Sequence, residues 1–124
     1  MSLILYIDDN RVLRENGTEI LELAGYEVII AQNGKEGIAL AREKEPDLIL
    51  CDIIMPELDG YEVIQLLKKD PVLSKIPFVF VTASAEKSEM AKGMALGADA
   101  YIRKPFDGKE LLETVKNCLL GNKV

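Results

Sequence analysis

Four of the five short apolar runs in this chain end on residues that can handle charge. Leu3–Ile7 runs into Asp8-Asp9, Leu48–Cys51 into Asp52, Phe78–Val81 into Thr82, and Ala100–Ile102 into Arg103-Lys104. An aspartate after a strand is commonly a helix N-cap, and that ordinary role is open to Asp8 or Asp9 taken alone. Three carboxylates gathered at one rim are another matter, because two of them 4 Å apart repel by roughly 4 kcal/mol at an effective dielectric near 20. A positive partner has to sit among them. Hard oxygen donors with no histidine or thiol beside them select Mg²⁺ or Ca²⁺. Mg²⁺ is preferred, since two or three carboxylates leave coordination positions for water, a carbonyl and a phosphoryl oxygen, and no oxygen-rich calcium loop is present. Lys104 adds a point charge suited to phosphate, and Thr82 a hydroxyl donor. A carboxylate forms an acyl phosphate when a cation and a lysine neutralise the incoming charge. Asp52, which closes the central run, is the candidate nucleophile, with Asp8-Asp9 as a metal-holding pair. Cation, lysine, hydroxyl and spare carboxylate are together the parts of phosphoryl transfer.

Other chemistries are excluded by what is missing. The chain has no histidine, which removes Ser-His-Asp and Cys-His nucleophiles and histidine zinc sites. No Gly-rich phosphate loop or Walker lysine follows the first strand, so a nucleotide site of that kind is disfavoured. A flavin phosphate would be repelled by Asp8-Asp9-Asn10. The formal charge of −6 opposes direct nucleic-acid binding. No apolar run reaches the roughly 18 residues of a membrane span, and Met1-Ser2-Leu3 lacks the basic start of a signal peptide, so a cytoplasmic protein with no membrane contact is expected. Cys51 and Cys118 lie far apart in apolar surroundings and read as buried thiols in a reducing compartment.

The elements that would position these groups follow from the spacing. The five runs, the fifth being Glu27–Ala31, are continuous in Ile, Leu and Val where longest, which suits strands covered on both faces of a parallel sheet. Helix-length segments separate them. Leu13, Gly17, Ile20, Leu21 and Ala24 fall at helical spacing, with Gly25 placed for a left-handed C-cap. A second helix starts at Asn33-Gly34, turns Ile38 and Ala41 inward and stops before Pro46. A third starts from Gly60, which is expected to permit the turn out of the Pro56 loop, and carries Val63, Ile64 and Leu67. The fourth presents Met90, Ala91 and Met94 before Gly97, and the fifth aligns Leu111, Leu112, Val115, Cys118 and Leu119. Met90 and Met94 read first as core or helix-face positions and second as part of a partner groove; Lys68-Lys69 read as a solvated face. Alternating strands and helices over 124 residues predict one doubly wound α/β domain spanning residues 1–124, with Gly121–Val124 fraying. Ligands of such sheets bind at the carboxyl ends of the strands, where the charged residues fall.

Taken in order, Asp8-Asp9, Asp52-Ile-Ile-Met-Pro56 with Asp59-Gly60, Thr82-Ala83 and Lys104-Pro105 resemble the signature of the receiver domain of two-component response regulators. The likeness covers essentially the whole chain and is similar to the single-domain chemotaxis regulators. Each piece is weak alone; the ordered set at this spacing is specific. The resemblance implies a flavodoxin-like (βα)₅ three-layer sandwich with a five-stranded parallel sheet in the order 2-1-3-4-5, an order taken from the family rather than from the pattern of apolar runs. It implies that Asp52 receives a phosphoryl group from the phosphohistidine of a sensor histidine kinase or histidine phosphotransfer protein, which accounts for the missing histidine. Mg²⁺ would be held by Asp9, Asp52 and the carbonyl of Ile54, with Asp8 acting largely through water. Lys104 and Thr82 would contact the phosphoryl group, and the Lys104-Pro105 bond would be cis. Tyr101 matches an aromatic switch position, expected to turn inward from an outward setting when Thr82 moves toward phosphate; the plainer alternative is an ordinary strand tyrosine with its hydroxyl in water. A downstream protein would read helix 4, strand 5 and helix 5, with the chain a monomer or a phosphorylation-dependent dimer.

The expected function is therefore a phosphorylation-activated signalling switch that catalyses only its own phosphorylation and slow dephosphorylation. The alternative is a Mg²⁺-dependent phosphohydrolase working through an aspartyl phosphate. Turnover of that kind needs an acid or base beside the nucleophile, commonly a carboxylate two residues on, and that position is Ile54. These 124 residues contain no output domain, so any DNA-binding or catalytic output would come from a partner or from further sequence.

Overall fold

The computed structural model describes residues 2–83 and 86–121. Strands β1 (Leu3–Ile7), β2 (Glu27–Ala31), β3 (Leu48–Cys51), β4 (Phe78–Thr82) and β5 (Ala100–Arg103) alternate with helices α1 (Arg11–Leu23), α2 (Gly34–Lys44), α3 (Gly60–Lys68), α4 (Lys87–Ala95) and α5 (Gly108–Leu119), with a 3₁₀ turn at Leu73–Lys75. All neighbouring strands are parallel, in the order β2-β1-β3-β4-β5. The two central strands show why both faces are covered. Ile4, Tyr6, Leu48 and Leu50 join one core with Leu21 of α1 and Leu111, Val115 and Cys118 of α5. Leu5, Ile7, Ile49 and Cys51 point the other way, into a core with Ile38 and Ala41 of α2 and Val63, Ile64 and Leu67 of α3. The alternation is that of a pleated strand buried on both sides.

Local chemistry sets the helix ends. Asn10, and neither Asp8 nor Asp9, caps α1, its side chain accepting from the Leu13 N–H. Gly25 takes φ +97, and the N–H groups of Gly25 and Tyr26 return to the carbonyls of Glu22 and Leu21, the paired bonds of a Schellman ending. Helix α2 stops at Glu45, held at φ 43, because a residue before proline is disfavoured in the helical region. The Lys104-Pro105 bond is cis.

Several expectations are corrected. Strands β4 and β5 each run one residue further than the apolar runs, so Thr82 and Arg103 pair with each other inside the sheet. The strained residue of the loop before α3 is Glu57, at φ 69. Gly60 is needed for closeness instead, since a Cβ there would collide with the Asp52 carbonyl and lie 2.8 Å from Ile53 Cα. Met90 and Met94 are exposed, because α4 buries only Gly93 against the sheet. Lys68 is half-buried and donates to the Ser74 carbonyl at 3.0 Å. Of the expected frayed tail, Gly121 forms a turn and residues 122–124 lie outside the described residues.

Candidate functional site

The chain leaves β1 toward β2 on one side and later adds β3 on the other, so β1 and β3 are neighbours whose carboxyl ends face one crevice. Asp8 and Asp52 sit at those ends. One carboxylate oxygen from each of Asp8, Asp9 and Asp52 lies within 4.8 Å of the others. Asp8 is fully buried, Asp52 nearly so, and Asp9 is exposed. Lys104, delivered by the end of β5, reaches across the crevice: its Nζ is 2.7 Å from Asp8 Oδ2 and 3.3 Å from Asp52 Oδ2. The sheet thus gathers Asp8, Asp9, Asp52 and Lys104, as the spacing predicts.

The two buried carboxylates are held differently. Asp8 Oδ1 accepts the Asn10 N–H at 2.9 Å, and its Oδ2 accepts the Tyr6 hydroxyl at 3.3 Å as well as Lys104. Among the described residues, Asp52 Oδ1 accepts only the adjacent Ile53 N–H, at 2.8 Å, which leaves Oδ2 facing the lysine. Burial raises the Asp52 pKa above the ordinary carboxylate range; Lys104 opposes that rise and Asp8 adds to it. Burial, then the Asp8 carboxylate, pushes the Tyr6 phenol far above its usual value, so it stays a donor. Hard oxygens, negative in excess over the one ammonium among them, fit a divalent cation.

Thr82 is buried at the end of β4, and its carbonyl accepts the Lys104 N–H at 2.8 Å. Ile54, two residues past Asp52, is 69% exposed. Tyr101 is not outward: its ring is half-buried, 5.3 Å from the Phe80 ring, and its hydroxyl donates to the Glu89 carbonyl at 2.8 Å. Cys51 is wholly buried with its thiol pushed up by that burial, and it is inert.

Sequence reasoning missed three partners. Tyr6 lies two residues before Asp8, hence on the same strand face. Tyr61, three residues before Ile64 on the buried stripe of α3, sends its hydroxyl to the same Glu89 carbonyl at 3.0 Å. Arg14 is buried on α1 in line with Gly17 and Leu21, and its Nη1 donates to the Asp8 carbonyl at 2.8 Å. A charged residue on an apolar stripe was the signal.

Comparison with known proteins agrees with this geometry. The family model described as the response regulator receiver domain matches residues 4–116. Protein PilH of Pseudomonas aeruginosa is 39% identical over 121 residues, covering 98% of this chain and 100% of PilH. The polar-differentiation response regulator DivK of Brucella anthropi is 40% identical over 116 residues, with 94% of each chain covered. Against the transcriptional regulator ycf27 of Porphyra purpurea, 40% identical, the chain spans 46% of the relative's length. The chemotaxis protein CheY4 of Vibrio cholerae superposes with a TM-score of 0.90 at 30% identity, over 94% of this chain and 98% of that one. By family model, full-length relatives and fold alike, this chain belongs to the receiver domains of two-component response regulators.

Proposed function

We propose that Asp52 is the phosphoacceptor of a signalling switch and takes its phosphoryl group from the phosphohistidine of a sensor histidine kinase or a histidine phosphotransfer protein. Receiver domains are signalling proteins rather than conventional enzymes, and they bind Mg²⁺ in their acidic pocket. The observation that carries the reading is the Lys104 ammonium spanning Asp8 and Asp52 beside the three-carboxylate cluster. Asp52 Oδ2 attacks phosphorus, the phosphorus–nitrogen bond breaks, and its electron pair stays on the donor imidazole. Lys104 offsets the arriving charge, and the Thr82 hydroxyl donates to a phosphoryl oxygen. Asp9, Asp52 and the Ile54 carbonyl would hold Mg²⁺, with Asp8 acting through water, and the bound ion supplies further neutralisation of the phosphoryl oxygens.

The output follows from charge. A phosphoryl group adds about −1.5 to −2 charge, and Thr82 and Lys104 satisfy it by moving toward it. Tyr101 and α4 rest on the same side of the sheet end, so a downstream protein reads α4, β5 and α5, with the chain a monomer or a phosphorylation-dependent dimer in the cytoplasm. No helix among the described residues is long and apolar enough to cross a membrane. The phosphohydrolase reading is disfavoured by the residue two past Asp52 being the apolar Ile54, which cannot activate water.

Incubation with Mg²⁺ and acetyl phosphate should add one base-labile phosphoryl group, and Asp52→Asn should prevent it while the protein stays folded. Label retained in that variant, or found on Thr82, refutes the assignment. Mg²⁺ at a hundredfold excess over Kd should stabilise the parent by about 2.7 kcal/mol, and Asp9→Asn should remove most of the shift. Steady phosphatase turnover would favour the enzyme.

A further inference from the structure

Among the described residues, Arg14 is a buried cation with no carboxylate at ion-pair distance, and nothing in the proposed phosphoryl transfer uses it. Its Nη1 donates to the Asp8 carbonyl. Its Nε, buried as well, finds no protein partner, nor does the Oγ1 of Thr18 one turn on. Arg14 and Thr18 line an open groove of about 250 Å³ together with Glu15, Glu19 and Glu22 of α1 and Ile30 of β2. A guanidinium is costly to take out of water for one neutral acceptor. The compensation available is the negative field of Glu15, Glu19 and Glu22 along the same groove and of Asp8, Asp9 and Asp52, of which Lys104 offsets one unit of charge.

The atom that Arg14 holds is the informative one. The Asp8 carbonyl belongs to the peptide group joining Asp8 to Asp9, so fixing that oxygen fixes the plane from which the Asp9 side chain departs. The Asp8 side chain is tied by Tyr6, Asn10 and Lys104. Asp9 is exposed, and among the described residues no hydrogen bond or ion pair holds its carboxylate. We propose that Arg14 is a positioning residue for the cation site: through the Asp8 carbonyl it sets the Asp8–Asp9 peptide so that the Asp9 carboxylate stays turned toward Asp8 and Asp52. The inference rests on the reading of these three aspartates as a Mg²⁺ site.

Three roles for Arg14 separate cleanly. A residue acting only by charge repels the cation, so its neutralisation would tighten Mg²⁺ binding. A residue needed only for packing would lower Tm and leave the Mg²⁺ Kd of the folded protein unchanged. A positioning residue weakens binding when lost, by about tenfold or more for groups that orient metal ligands. The test titrates Mg²⁺ calorimetrically into the unphosphorylated full chain, its Arg14→Met and Arg14→Lys variants, and Asp9→Asn, with Tm recorded for each. Arg14→Met is expected to raise Kd about tenfold, and Arg14→Lys, which keeps the charge without the planar fork, to fall between it and the parent. An unchanged or lowered Kd in Arg14→Met overturns the proposal. Should that variant not fold, Arg14→Lys decides: a Kd above the parent's supports positioning, and one equal or lower overturns it. A parent that takes up no Mg²⁺ overturns the metal reading together with this one, whereas a normal parent with an unaffected Arg14 variant overturns positioning alone.

Discussion

Helices α3 and α4 have the same length, nine residues, and flank the same end of the sheet, yet they are attached in opposite ways. Helix α3 opens with a complete capping box, in which the Asp59 side chain accepts from the Glu62 N–H and the Glu62 side chain from the Asp59 N–H. It buries Tyr61, Val63, Ile64 and Leu67 in the core beneath Asp52. Helix α4 has no side-chain cap and buries only Gly93, leaving Met90 and Met94 at 38% and 40% exposure. Apart from Leu96 at its C-cap, which packs on the core, what holds it is polar: the Tyr61 and Tyr101 hydroxyls meet on the Glu89 carbonyl, and Lys92 Nζ sits 4.4 Å from the centre of the Tyr61 ring. Apolar burial fixes an element, because every displacement loses area. Hydroxyl bonds to one carbonyl exchange with water at a small net cost. The element beneath Asp52 is thus firmly packed, and the element bearing Met90 and Met94 is the more loosely attached, which is the division of labour the proposed switch would need.

The largest test of that contrast is truncation. Ile64→Ala should cost about 2–5 kcal/mol, as buried aliphatic deletions do, while Met94→Ala on α4 should stay within about 0.5 kcal/mol. Urea unfolding measures both, and comparable losses would mean that α4 is anchored by packing after all. Next in size is an alanine at the closely packed glycine of each helix, Gly60 in α3 and Gly93 in α4. In Gly60→Ala the new Cβ meets the Asp52 carbonyl and Ile53 Cα, backbone that cannot yield, so overpacking of about 1–3 kcal/mol is expected together with loss of acetyl-phosphate labelling. In Gly93→Ala the Cβ meets the Tyr101 hydroxyl and, at 2.9 Å, Phe80 Cε2. The end of a tyrosine can swing away, and alanine regains about 0.8–1 kcal/mol of helix propensity. Stability should therefore change by less than about 1 kcal/mol, while NMR shows the Tyr101 ring moved toward solvent. A ring left in place beside a strongly destabilised Gly93→Ala would show that α4 cannot give way.

The parts of the molecule governed by period and punctuation were legible from the residues. Continuous apolar runs gave the strands, Gly25 and Pro46 gave helix ends, and the polar residues following the runs gave Asp8, Asp52, Thr82 and Lys104 at one rim. The strand order came with the family likeness, since no spacing states which strand lies beside which. Less legible was whatever depends on contacts across elements. Met90 and Met94 repeat at helical spacing as core residues do, but Tyr101 and Phe80 fill the space beneath α4, so that Gly93 and neither methionine faces the sheet. Gly60 reads as a turn residue in the sequence, while the structure needs its lack of a Cβ and gives the left-handed turn to Glu57. Arg14 and Tyr61 sit on the buried stripes of their helices, and their polar ends find partners six and twenty-eight residues away in sequence.

The smallest effect comes from giving α4 what α3 already has. Glu86, its N-cap residue, holds φ −68 and ψ 131, the extended setting from which a short side chain reaches back to the first turn. Glutamate makes no such bond there. Position N3 is Glu89, as Glu62 is in α3, so Glu86→Ser writes the S-x-x-E pattern of a capping box without disturbing the carbonyl that the two tyrosines share. A gain of about 0.5–1 kcal/mol is expected, with slower amide hydrogen exchange confined to the first turn of α4, at Glu89 and Met90. Because the cap favours the present placement of α4, the same variant should respond less at Tyr101 and Met94 when a phosphate mimic is added, though Asp52 should label at the parental rate. Unchanged exchange at Glu89 would mean that the tyrosines already hold that turn as firmly as a cap holds α3. The contrast between the helices would then come from burial alone.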